Sequence, residues 1–264
     1  MAENKTQIPA LILAGGKTPE KLQSVTSETE RSFIPLCGKP IVTHTVNNIR
    51  HSEFLSSITM IGNPARLQAE FQEDDKKLFF LEDTGSLLEN LMLGLRSLEN
   101  SRSVLVLTAD IPLITSSILS STILECQKDE AECYYPIVAK SIIEKKFPGG
   151  KRTYVSLKEG QFTGGNVFLV NPKAVLRNEK VFQRVIHDRK NPVKLAGLFG
   201  FYFIVGIMFG FLDIPNLEKK ATQILGVTVR AIRSPNPEIA FDIDKEKDFL
   251  DVTRFIERKR DNAN

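Results

Sequence analysis

Residues 9–23 read PALILAGGKTPEKLQ, and this stretch carries the signal on which the fold assignment depends. The uncharged run 9–14 predicts a short buried strand. Gly15 and Gly16 follow it directly and predict a tight turn, because glycine adopts backbone conformations that other residues avoid. Such a turn can also present backbone N–H groups to phosphate oxygens. The spacing is neither GxGxxG nor GxxxxGK[ST], so an ordinary strand-to-helix turn and a phosphate-binding loop both stay open.

The composition is typical of a globular protein. The chain has 264 residues, of which 42% are hydrophobic and 25% charged, enough for one large or two small domains. A net charge of +3 is too small to indicate a nucleic-acid partner, so none is expected. Three cysteines without a CxxC pair predict reduced thiols. The first ten residues do not resemble a signal peptide, so a cytoplasmic location is expected.

Strand and helix signals alternate along the first half of the chain. Apolar runs predict strands at 9–14, 56–63 and 103–110, and helical periodicity covers 39–52, 85–100 and 115–130. Less regular signals follow, with strands at 131–140, 165–172 and 226–235 and a helix at 244–260. This alternation predicts an α/β fold, with a mainly parallel mixed sheet flanked by helices. We expect a single domain, 1–264, with an elaborated C-terminal part.

Carboxylates occur at two places where they could bind a metal. Asp110 follows the apolar run 103–110, and ligands bind beyond the carboxyl ends of such strands. It could hold Mg²⁺ or cap the following turn. Asp242 and Asp244 alternate, so on a strand both would face one side and one could supply a second ligand. Asp244 could instead be the N-cap of the terminal helix.

Taken together, four motifs resemble the nucleotidyltransferase superfamily that includes molybdenum cofactor guanylyltransferase and the sugar-phosphate and methylerythritol-phosphate nucleotidyltransferases. They are the glycine pair, RSFIPLCGKPIVTHTV at 31–46, TADIP around Asp110 and FDIDKEKDF around Asp244. The resemblance covers most of the chain. It implies a Rossmann-like (GT-A-like) NTP transferase fold and a nucleotidyltransferase activity of EC 2.7.7 class.

The resemblance also implies a set of site residues. The expected nucleotide-binding residues are Ala14, Gly15, Gly16, Gly85 and Ser86. Asp110 and Asp244 would bind Mg²⁺, the expected cofactor. Gly165 and Asn166 fall where members of the family hold the acceptor. The implied reaction is attack by an acceptor phosphate on the α-phosphorus of a nucleoside triphosphate, with GTP or CTP favoured, and pyrophosphate leaves.

The catalytic residues that the resemblance implies are Lys17, Lys21, Arg31 and Asp110. Two of these positions depart from the family. Lys17 or Lys21 stands in for the family's arginine after the glycines, and lysine lacks the bidentate fork of arginine. Arg31 replaces a lysine and could still brace the α-phosphate. The departures leave open a catalytically weakened, nucleotide-binding regulatory protein.

Two further segments have alternative interpretations. The loop 144–155 carries Lys145, Lys146, Lys151 and Arg152, and either closes over an acidic acceptor or is a solvated surface loop. The segment 195–212 has no charge in 18 residues. It is a core or homo-oligomer interface helix, an interfacial helix between basic flanks, or a membrane span, which its minimal length disfavours. An interfacial helix would place the enzyme at the inner face of the membrane with a lipid-linked or lipid-precursor acceptor.

Overall fold

A computed structural model of the chain describes residues 7–71, 77–149, 152–188, 206 and 210–261. Its strands are β1 (Ile8–Leu13), β2 (Pro35–Leu36), β3 (Lys39–Pro40), β4 (Leu55–Gly62), β5 (Leu78–Glu82), β6 (Val104–Thr108), β7 (Cys133–Ala139), β8 (Val155–Leu157), β9 (Gly160–Gly164), β10 (Val167–Val170) and β11 (Val229–Arg233). Its α-helices are α1 (Ile41–Ile49), α2 (Pro64–Phe71), α3 (Leu87–Ser97), α4 (Ser116–Cys126), α5 (Lys140–Lys146), α6 (Pro172–Arg177), α7 (Glu179–Asp188), α8 (Ile214–Leu225) and α9 (Glu246–Asp261).

One mixed sheet contains all of these strands except β2 and β3, which form a separate hairpin. Its order is β5-β4-β1-β6-β10-β7-β9-β8, and β11 pairs with β7. The strands β5, β4, β1 and β6 run parallel, whereas β10 is antiparallel to β6. Apolar clusters pack on both faces of the sheet. This architecture confirms the predicted α/β fold, while the domain range 1–264 stays a prediction.

The centre of the sheet is built from the apolar runs that predicted it. Strand β1 is buried along almost its whole length because helices cover both of its faces. Helix α3 lies close against it, since a Cβ on Gly94 would overlap the Leu11 side chain. Leu13 and Thr108 are register partners at the ends of β1 and β6. The glycine turn and Asp110 therefore leave the sheet at the same edge, where ligands bind in open α/β sheets.

The structure corrects two local expectations. Residues 241–244 do not form a strand. They follow the short 3₁₀ helix Pro237–Ala240, and the chain then runs irregularly into α9. The loop expected at 144–155 begins inside α5, which ends at Lys146. In both segments, contacts with distant parts of the chain, which the local sequence does not encode, determine the backbone conformation.

Most of the apolar segment 195–212 lies outside the described residues, so its three interpretations stay predictions. The described part is Gly206 and residues 210–212. No helix within the ranges that the structure describes is long and apolar enough to cross a membrane. All three cysteines are free, as predicted.

Candidate functional site

The glycine turn holds a carboxylate of its own chain. A Cβ added to Gly15 would lie 2.5 Å from the carboxyl carbon of Asp83. Gly16 has a φ of +99° and donates its N–H to Asp83 Oδ2 at 3.0 Å. Gly15 is therefore required for close approach and Gly16 for its backbone conformation. Sequence reasoning missed Asp83, whose contact with the turn depends on the tertiary fold.

Asp83 also binds the loop that leads into α3. Its Oδ1 accepts hydrogen bonds from the Gly85 N–H at 2.8 Å and from Asn90 Nδ2 at 2.7 Å. Burial would raise the pKa of Asp83, but these donors and the Gly16 N–H outweigh it, and the pKa is lowered. Ser86 accepts from the Glu89 N–H and caps α3. Asp83 thus connects the glycine turn to the loop that carries Gly85 and Ser86, while nucleotide binding by these residues stays a prediction.

A closed loop connects the glycine turn to Arg31. The Arg31 N–H donates to the Gly16 carbonyl at 3.1 Å. Within the loop, the Thr18 N–H donates to the Thr29 carbonyl at 2.8 Å. The Ser32 hydroxyl donates to the carbonyl of Ala14 at 2.5 Å. The base of the loop is therefore fixed on both sides of the turn.

The exposed lysines lie on this loop, and a salt bridge fastens it to α2. Lys17 and Lys21 are both exposed at its surface. Arg66 binds Glu28 through two hydrogen bonds, at 3.0 and 2.8 Å, and its guanidinium stacks 4.0 Å from the centre of the Phe33 ring. Arg66 lowers the pKa of Glu28 to about 2. This Arg66–Glu28 salt bridge, here called the loop clamp, restricts the loop that carries Lys17, Lys21 and Arg31.

Three carboxylates converge beyond the end of β6. Asp110, Asp242 and Asp244 each offer an oxygen, and these oxygens lie within 4.8 Å of one another. The Ile243 N–H donates to the Asp110 carbonyl at 3.1 Å and so joins the two segments. Sequence reasoning placed Asp110 and Asp244 here by resemblance. Asp242 joins them although its segment is not a strand.

Arg31 lies between two of these carboxylates. Its Nη2 contacts the Asp110 carboxylate, Asp244 Oδ1 at 2.5 Å and the Ile243 carbonyl at 3.0 Å. Burial, together with the charges of Asp110 and Asp244, raises the pKa of Asp242 to about 7. Burial acts in the same direction on Asp244, but Arg31 outweighs it and the pKa of Asp244 is lowered. The pKa values of Asp242 and Asp244 are therefore shifted in opposite directions, and Arg31 favours the charged form of Asp244.

Arg152 anchors the segment that carries Asp242 and Asp244. Its side chain is only 8% exposed and binds Asp248 Oδ1 at 3.1 Å. It also donates to the carbonyls of Ala240 at 3.1 Å and Asp242 at 3.0 Å. Asp248 in turn accepts the Asp244 N–H at 3.3 Å. Arg152 thus faces inward, and neither interpretation of the basic loop applies to it.

The other described lysines of that loop lie at the end of α5, where Lys146 pairs with the buried Glu238. Lys145 is exposed, and Lys151 lies outside the described residues. Closure of this loop over an acceptor stays a prediction. Lys146 and Arg152 are engaged in ion pairs, so Lys145 is the described cation of the loop that could take part.

The acidic cluster fits a hard divalent cation. Carboxylate oxygens are the ligands that Mg²⁺ prefers. Asp110 Oδ1 is buried and has no hydrogen-bond partner among the described residues, although buried carboxylate oxygens are normally satisfied. A cation between Asp110, Asp242 and Asp244 would satisfy that oxygen and offset the repulsion between neighbouring carboxylates.

The residues expected to hold the acceptor lie at the same edge of the sheet. The Thr108 N–H donates to the Asn166 carbonyl at 3.4 Å, two residues before Asp110. The N–H groups of Gly165 and Asn166 donate to Pro136 and Ile239, at 2.8 and 2.7 Å. Their backbones are thus fixed by the fold, while acceptor binding stays a prediction.

Comparison with known proteins places this geometry among transferases. A family model, the MobA-like NTP transferase domain, matches residues 10–170. The chain is similar to a hypothetical transferase from Thermus thermophilus, with 33% identity, a TM-score of 0.80 and coverage of 92% of this chain and 100% of that one. No match was found among curated proteins.

Two more distant solved structures share the fold. One is a 4-diphosphocytidyl-2C-methyl-D-erythritol synthase from Anaerococcus prevotii, with 10% identity, a TM-score of 0.60 and coverage of 96% of this chain and 97% of that one. The other is a CMP:2-keto-3-deoxy-manno-octonic acid synthetase complexed with CTP, with 11% identity, a TM-score of 0.62 and coverage of 96% and 99%.

Proposed function

Because this chain belongs to the family of MobA-like NTP transferase domains, we propose that it moves a nucleoside monophosphate from a nucleoside triphosphate to a phosphorylated small-molecule acceptor, with release of pyrophosphate. Membership of the family makes it a nucleotidyltransferase of EC 2.7.7 type and confirms the resemblance inferred from the sequence. The acceptor, the nucleobase and the use of Mg²⁺ belong to the proposal.

One observation carries the proposal. Arg31 joins the two halves of the site, since its backbone N–H binds Gly16 at 3.1 Å and its side chain binds the carboxylates of Asp110 and Asp244. The glycine turn and the acidic cluster are therefore adjacent and fixed to each other. A triphosphate on the turn would have its phosphates beside a cation held by the carboxylates.

The proposed chemistry needs positioning rather than a strong base. An acceptor phosphate is already anionic at neutral pH, so the protein must align it with the α-phosphorus and offset the developing charge. A Mg²⁺ ion bound by Asp110 and Asp244, with Asp242 beside them, would supply Lewis-acid stabilisation of the phosphate oxygens. Lys17 and Lys21 would neutralise charge from the surface of the loop.

The nucleotide would lie between the two loops that Asp83 connects. We place its phosphates at Ala14, Gly15 and Gly16, and its base and ribose at Gly85 and Ser86. The Gly16 N–H already donates to Asp83 at 3.0 Å, so a phosphate can use this donor only after Asp83 gives it up. GTP or CTP is the proposed donor, and Gly165 and Asn166 would meet the acceptor.

Pyrophosphate release tests the proposal. The wild type is incubated with Mg²⁺, each of the four nucleoside triphosphates and a panel of sugar, polyol and pterin phosphates. We expect release with one nucleotide and one acceptor class, and a fall in kcat of at least about 100-fold in Asp110→Asn. Asp251→Asn is the matched control, because Asp251 pairs with Lys247 on the outer surface of α9.

Two results would contradict the proposal. Unchanged pyrophosphate release in Asp110→Asn would remove the acidic cluster from the reaction. Nucleotide binding without release for any acceptor would favour a nucleotide-binding protein that has lost turnover.

A further inference from the structure

Arg31 occupies the meeting point of three oxygens in the acidic cluster. A single nitrogen, Nη2, contacts Asp110 Oδ2, Asp244 Oδ1 and the Ile243 carbonyl, the last at 3.0 Å. The Asp110 side chain is 9% exposed, so its contact with Arg31 is shielded from water. A positive group that bridges two carboxylates in this way does the electrostatic work of a bound metal ion.

A cation at this cluster competes with Arg31 for the same two carboxylates. Arg31 contacts Asp110 through Oδ2, whereas Asp110 Oδ1 has no hydrogen-bond partner among the described residues and is open to a cation. Mg²⁺ binds carboxylate oxygens at about 2.0 to 2.1 Å, so a cation shared by Asp110 and Asp244 would lie close to the guanidinium and would be repelled by it. The departure of the guanidinium would remove this repulsion.

Arg31 is built in a way that allows this exchange. Its backbone is fixed by the Gly16 carbonyl, and the next residue, Ser32, is tied to Ala14 at 2.5 Å. Its Nε is buried and has no hydrogen-bond partner in the described parts of the chain. The described polar contacts of the side chain are thus made by its tip, Nη2, while its backbone is fixed beside the glycine turn.

We infer that Arg31 is a resident cation that holds Asp110 and Asp244 together in the metal-free protein and exchanges for the divalent ion. This inference rests on the proposed function of the same site. The freed guanidinium then lies next to the glycine turn, where phosphate oxygens are its natural bidentate partners. One side chain would in this way serve the empty site and the loaded site in turn.

The inference predicts an effect on metal binding opposite to the one expected if Arg31 only helped to build the metal site. A residue that merely builds a metal site weakens metal binding when it is removed. Removal of a residue that competes with the metal strengthens metal binding. We expect Arg31→Gln to bind Mn²⁺ about tenfold or more tightly than the wild type, because a competing unit charge at contact distance is lost. Arg31→Lys keeps a competing charge and should stay within about threefold of the wild type.

The experiment is a Mn²⁺ titration without nucleotide, with free Mn²⁺ measured by electron paramagnetic resonance. Arg66→Gln is the matched control, since Arg66 carries the same charge but clamps the far part of the loop. Circular dichroism verifies that each variant is folded. If Arg31→Gln fails to fold, a Mg²⁺ titration of the wild type with labelled arginine side chains replaces it. The Arg31 signal, assigned by its loss in Arg31→Lys, should then shift as Mg²⁺ binds.

The outcomes separate this inference from the proposed function. Equal or weaker Mn²⁺ binding by Arg31→Gln, with binding retained in the wild type, overturns the inference alone, as does an Arg31 signal that Mg²⁺ leaves unchanged. No Mn²⁺ binding by either protein overturns the metal site of the proposed function and the inference with it.

Discussion

Replacing Arg152 by alanine should destabilise the protein more than any surface substitution. The change leaves Asp248, which is 1% exposed, as a buried charge without its arginine. It also removes the donors to the carbonyls of Ala240 and Asp242 and the cation that stacks 4.4 Å from the centre of the Phe241 ring. Breaking one side of a buried ion pair costs about 3–5 kcal/mol, which is a large share of the stability of a typical domain. We expect the free energy of unfolding to fall by that amount.

The measurement is urea unfolding followed by far-ultraviolet circular dichroism, since the chain contains no tryptophan. Arg177→Ala is the control, because the Arg177 side chain is 66% exposed and its pairing with Glu132 should contribute at most about 1 kcal/mol. Arg152→Lys should fall between the two, since an ammonium cannot reach all three acceptors in the same geometry. If Arg152→Ala loses less than about 1 kcal/mol, the assignment of Arg152 as the anchor of residues 240–248 is wrong.

Two further substitutions test the glycine turn and the loop clamp. Gly15→Ala places a methyl group 2.5 Å from the Asp83 carboxyl carbon. Displacing this carboxylate should cost about 1–3 kcal/mol of stability in urea unfolding, and unchanged stability would contradict the role of Asp83 in holding the glycine turn. Glu28→Gln should cost about 1–2 kcal/mol at pH 7, allowing for solvent screening of the 38% exposed Arg66 side chain. Because the folded pKa of Glu28 is lowered from 4.5 to about 2, this advantage of the wild type is fully present above pH 4.5 and disappears as the pH falls towards 2. A difference in stability between the wild type and Glu28→Gln that does not change with pH would refute the loop clamp.

The sequence was sufficient for the fold and for part of the candidate site. The apolar runs of β1 and β6 predicted the centre of the sheet, because parallel strands covered on both faces must be apolar on both sides. Asp110 could be placed beyond β6 because it follows that run directly. The short strands β8 and β9 were missed, since they are too brief to show a period and depend on pairing with β7.

The contacts within the site could not be predicted from the sequence. Arg152 is 96 positions from Asp248, and nothing in the local sequence distinguishes it from the lysines nearby. Asp83 appeared as one acidic residue among several, and its role depends on the absence of a Cβ at Gly15. Arg31 was recognised as a departure from the family, but its place between Asp110 and Asp244 depends on how two distant segments meet.

The most direct test of the proposed site is nucleotide binding followed by thermal shift, with GTP, CTP, UTP and ATP, each with and without Mg²⁺. The wild type and Asp110→Asn are compared. The proposed site predicts a Mg²⁺-dependent rise in Tm with one nucleotide, GTP or CTP, that is lost in Asp110→Asn. An equal rise in both proteins, or no rise with any of the four nucleotides, would contradict a nucleotide site built on the glycine turn and the acidic cluster.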